Sequence, residues 1–86
     1  MNAKKIFEYL MDLAERMEFR IVKGKGDFNG GGCRVHEDKV IVLNKIKPIE
    51  YQSKTIAEGL ANHGLSDQYL IPAVRSYIED DLKIKI

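Results

Sequence analysis

The stretch FRIVKGKGDFNGGGCRVHEDKVIVLN, residues 19–44, decides the fold, and it holds five of the chain's seven glycines and its only cysteine. FRIVK is short, rich in bulky and β-branched side chains, and stops at Gly24, which predicts a strand over Phe19–Lys23. Past the glycines, CRVHEDKVIVLN predicts a hairpin. One strand covers Cys33 to His36, a polar turn lies around Glu37–Asp38, and a second strand covers Val40 to Leu43. The unbroken VIVL marks that last strand as central or covered on both faces.

Helical signals flank this stretch on both sides. Ala3, Ile6, Phe7, Leu10, Leu13, Ala14 and Met17 recur at the spacing of one buried helical stripe, with Asn2 placed to cap it. Lys4–Glu8 and Asp12–Arg16 stand four apart on the outer face of that helix. Downstream, Pro48 suits the first turn of a helix running to His63, with Gly64 as its stop and Ile49, Ile56 and Leu60 on one stripe. Pro72 opens a last helix through Leu82, with Ile71, Val74 and Ile78 inward and Tyr77 beside them. The tail KIKI alternates, as an edge strand or a loose end would. The order α-β-β-β-α-α predicts an α+β fold: a three-stranded antiparallel sheet with helices packed on one face.

A chain of 86 residues makes one domain, here 1–86. Fourteen basic against thirteen acidic residues give a net charge of +1, which argues against a dedicated nucleic-acid binder. A lone cysteine forms no internal disulfide and suits a reducing compartment. The N-terminal stretch is amphipathic, without the apolar run of a signal peptide or membrane span, so a cytoplasmic protein without membrane association is expected.

Three chemistries compete with a plain turn for the glycine stretch. A phosphate cradle draws on converging backbone N–H groups, usually at a helix N-terminus. Lys23, Lys25, Gly30, Gly31, Gly32 and Arg34 are the residues that would form one. The dinucleotide pattern G-x-G-x-x-G fits at Gly24 and Gly26 and fails at Asn29, and the loop leads into a strand rather than a helix. A reactive thiol would use Cys33 with His36 or His63. Strand alternation turns Cys33 and His36 to opposite faces, which favours a small buried hydrophobe at position 33. A metal site would draw on Cys33, His36, Glu58 and His63, with Glu37 and Asp38 in the turn. Glu58 and His63 stand about 140° apart around a helix and no second Cys/His pair exists, so no metal or other cofactor is expected. Lys39, Lys45, Lys47 and Lys54 are scattered singly and suit a solvated surface.

Two strands ending in Asn44, followed by a proline-opened helix carrying IAEGLANHG, resemble the core of the ImmA/IrrE class of zinc peptidases over residues 32–65. In that class the helix supplies H-E-x-x-H, two zinc ligands and a general base. Glu58, Gly59 and Asn62 stand here at the His, Glu and His positions, so the resemblance implies a shell without metal or base. The fragment GGGCRVHEDKVIVLNK is also similar to small bacterial proteins with a Gly-Gly-Cys-Arg element before a hairpin, a family that implies no activity. A non-catalytic interaction module, self-associating as a homo-oligomer, ranks first among the functions. An anion-binding domain for nucleotide or RNA phosphate follows, and a thiol- or metal-dependent enzyme comes last.

Overall fold

A computed structural model of the chain describes residues 1–35 and 38–86, with side chains described at 1–32 and 38–86. The elements run α1 (Ala3–Arg16), β1 (Phe19–Gly24), β2 (Gly31–Val35), β3 (Asp38–Asn44), α2 (Ile49–His63) and α3 (Pro72–Ser76), which continues as a π-helical turn over Tyr77–Asp81. The fold is α+β with a three-stranded sheet. Of the expected turn residues, Asp38 instead opens β3 opposite Val35, while Glu37 and the candidate His36 lie outside the described residues.

The sheet is mixed rather than antiparallel, which corrects the expected topology. Its order is β1-β3-β2. β1 runs parallel to β3, from Phe19 opposite Lys39 to Gly24 opposite Asn44. β2 runs antiparallel to β3, from Gly31 opposite Val42 to Val35 opposite Asp38. Residues 25–30 therefore do not fold β2 back beside β1. They carry the chain across the end of β3, over two strand spacings or about 10 Å. The VIVL strand is central as expected, with Val40, Ile41 and Leu43 buried.

Helix α1 begins where Asn2 accepts a hydrogen bond from the Lys5 N–H at 2.9 Å, a contact that typically contributes about 1 kcal/mol. Asp12 and Arg16 pair at 3.3 Å on its exposed face. Glu18, at φ 65°, turns the chain from α1 into β1 in the left-handed region. Leu10, Leu13 and Ala14 of α1 and Ile56, Ala57 and Leu60 of α2 join Ile41 and Leu43 in one core. Val74 and Ile78 close it from the C-terminal side, with Leu82, Ile84 and Ile86 against its edge. The KIKI tail is thus packed on the core, and the Ile84 N–H donates to the Ile78 carbonyl at 3.0 Å. Tyr9 fastens the segment before α3: its hydroxyl accepts from the Ile71 N–H at 3.3 Å and donates to the Tyr69 carbonyl at 3.4 Å. Burial, reinforced by the carboxylates of Asp81, Glu50 and Glu58, holds the Tyr77 phenol above its ordinary pKa. No described helix is long and apolar enough to cross a membrane.

Where α2 lies on the sheet, two backbones meet. A Cβ on Gly32 would stand 3.3 Å from the Gly59 Cα, and one on Gly59 would stand 3.1 Å from the Ile41 side chain. Small residues at both positions let the helix sit closely on β2 and β3.

Candidate functional site

The glycine stretch is organised by Asn44, a buried amide at the end of the central strand. Its Nδ2 donates to the carbonyls of Gly26, at 2.8 Å, and Phe28, while its Oδ1 accepts from the Ile46 N–H at 3.2 Å. The loop thus turns two carbonyl oxygens toward the strand end, the polarity opposite to that of a phosphate cradle. Gly30, at φ 92°, passes so near β3 that a Cβ would stand 2.6 Å from the Val42 carbonyl oxygen, so only glycine fits there. The Phe28 ring lies over Gly24 and Gly26, 3.3 and 3.4 Å from where their Cβ atoms would be.

The residues proposed to hold an anion are divided between two ends of the sheet. Lys23 sits opposite Leu43 and Lys25 follows in the loop, both exposed. Arg34 pairs in register with Lys39, four positions back along β3 and on the other side of it. Backbone positions 23 and 34 are therefore about 16 Å apart. What the fold does bring to Lys23 and Lys25 is Lys45, whose N–H donates to the Gly24 carbonyl at 2.8 Å. Lys45 stands twenty residues from Lys25 in sequence, so only the parallel pairing of β1 with β3 reveals the cluster.

Of the thiol candidates, Cys33 lies in register with Val40, and its side chain is outside those described. His63 ends α2 at the far end of the sheet from the loop. Its ring meets Phe19 edge to face, centroids 5.4 Å apart. Lys39 is no solvated surface cation. Its ammonium lies 5.1 Å from the Phe19 centroid and donates to the Met17 carbonyl at the C-terminus of α1, where a positive charge is favoured. Lys39, His63, Ser66 and Asp67 line a polar cleft of about 240 Å³. No side chain-to-side chain hydrogen bond joins a nucleophile to a base there among the described residues, and no three His, Cys, Asp or Glu side chains converge on a metal position. At the positions matched to the peptidase motif, Glu58 and Asn62 are exposed and Gly59 is held by its contact with Gly32.

The two faces of the sheet differ. Ile21, Ile41 and Leu43 point into the core beneath α1 and α2. Strand alternation puts Arg20, Val22, Val40 and Val42 on the other face, on which no helix packs among the described residues; Val40 is nonetheless buried there, between β1 and β2, so the face is open toward the loop end. Val22 is 41% exposed and Phe28, whose ring lies over Gly24, 37%, which makes the loop end of this face apolar, and Ile46, whose N–H reaches the Asn44 amide just beyond the strand, is 64% exposed. No family model matches the chain, and neither curated proteins nor solved structures include a significant match to it.

Proposed function

We propose that this chain is a non-catalytic interaction module that self-associates through the open face of its sheet. The observation that carries the reading is the apolar patch of Val22, Val42, Phe28 and Ile46 at the loop end of a face on which no described helix packs. Covering the exposed part of each side chain would contribute on the order of 1 kcal/mol. Counted on both copies of a two-fold pair, these contributions reach the range of lost rigid-body freedom, about 4–15 kcal/mol. The association is accordingly weak, with a Kd of about 1 mM at the tightest. A reducing, cytoplasmic setting belongs to the same proposal, and the likeness to zinc peptidases is on this reading one of shell alone.

Sedimentation velocity at concentrations around that Kd tests it. The wild type is expected to shift toward dimer, and Phe28→Ser with Val22→Thr to hold the monomer. A wild type that stays monomeric at millimolar concentration removes the proposal.

A further inference from the structure

We infer that the free edge of β1 is a docking strand for an extended acidic segment of another protein, which joins the sheet as a fourth strand. This rests on reading the chain as an interaction module, but it uses a different surface from self-association. β1 ends the sheet order, and the bond from the Lys45 N–H to the Gly24 carbonyl shows which way its backbone groups face. In a parallel ladder the N–H and C=O of one residue turn to the same neighbour, and successive residues alternate. Arg20, Val22 and Gly24 therefore turn toward β3, and Phe19, Ile21 and Lys23 turn their backbone groups outward. Among the described residues nothing bonds those outward groups. No proline interrupts the strand.

Charge identifies the occupant. Arg20 and Lys23 lie on the strand and Lys25 and Lys45 at its end, all exposed, and none is ion-paired among the described residues. Glu18 before the strand and Asp27 in the loop are the acids beside them in the sequence. A second copy joined edge to edge would set these cations against each other, and like charges on paired strands are destabilising. An acidic strand meets the opposite situation. Its backbone would bond Ile21 and Lys23, its acids would flank Arg20 and Lys23, and a central apolar pair would lie beside Ile21 and Val22. Because the cations bracket the apolar pair, either strand direction meets this pattern. Continuous backbone pairing along a strand without proline favours a peptide over nucleic acid, which offers no such ladder.

The test uses the full chain and the capped peptide Ser-Glu-Glu-Val-Ile-Glu-Glu-Ser. Its controls are the same peptide with lysine for glutamate, the acidic peptide N-methylated at its central amides, and a uridine oligonucleotide. The acidic peptide is expected to bind, more weakly as salt rises, and to shift and protect the amide resonances of Ile21 and Lys23. N-methylation is expected to cost at least about tenfold in affinity, and Arg20→Glu with Lys23→Glu to exchange preference for the lysine peptide. Binding of that peptide by the doubly substituted chain also shows that the variant is folded. Absence of acidic-peptide binding overturns the inference, as do equal affinities for acidic and basic peptides, indifference to N-methylation, or tighter binding of the oligonucleotide on the same strip. A monomeric wild type that binds the acidic peptide removes self-association alone. A dimer that ignores the peptide removes the edge alone.

Discussion

The two faces of one three-stranded sheet have been given different tasks by side chains one residue apart. On the helix side, Ile21, Ile41 and Leu43 meet α1 and α2, and glycines at 32 and 59 bring helix and strand close together. On the open side, the exposed Val22 and half-buried Val42 alternate with them, Val40 is buried between its neighbouring strands, and the Phe28 ring lies over Gly24 and Gly26. Both faces are apolar, so hydrophobicity alone does not distinguish core from surface here. The partner layer does. That difference predicts that equal truncations on the two faces have unequal effects.

The largest effect is expected on the helix side. Ile41→Ala leaves a cavity under Gly59 and should cost about 3–4 kcal/mol by chemical denaturation, whereas Val42→Thr on the open face should change stability by less than about 1 kcal/mol while weakening self-association. A Val42→Thr cost equal to that of Ile41→Ala would show that a hidden layer covers the open face. Next comes Asn44, which ties the open face to the loop. Asn44→Ala leaves the Gly26 and Phe28 carbonyls without their donor and should cost about 2 kcal/mol. Amide exchange should then quicken first in residues 25–30. A smaller effect of opposite sign is expected at Ser53, whose buried hydroxyl has no partner among the described residues. Ser53→Ala should raise stability by about 0.5–1 kcal/mol in the same denaturation.

The smallest effect is one of pH. Because folding raises the Tyr77 pKa, the folded state holds the phenolic proton more tightly than the unfolded chain. Its contribution is complete below pH 10.0, the ordinary value, and is lost as pH rises through the folded value. Tyr77→Phe should flatten the alkaline end of a stability–pH curve and leave neutral pH almost unchanged.

Local pattern made much of this legible. The α1 stripe and its Asn2 cap, the Pro48 and Pro72 starts, the Gly64 stop and the centrality of VIVL all follow from spacing and backbone chemistry, and the structure has them. The strand order was not legible, because residues 25–30 are long enough either to turn back as a hairpin or to cross a neighbour. What separates the two is the Asn44 amide reaching Gly26 and Phe28, a contact across sixteen to eighteen residues that no local pattern announces. A buried amide at the end of an otherwise apolar strand was its one trace. The basic cluster was only half visible for the same reason: Lys23 and Lys25 are neighbours in sequence, while Lys45 reaches them through strand pairing.

The place of β3 between its elders also orders the birth of the fold. β1 and β2 each pair with β3 and not with one another. As the chain leaves the ribosome, neither of the first two strands has its native neighbour until synthesis has passed Asn44. The local β2–β3 pairing can then close first, and β1 joins from further away along the chain. Until that moment the basic residues of β1 set like charges against any copy of the strand on a neighbouring nascent chain, which disfavours their pairing.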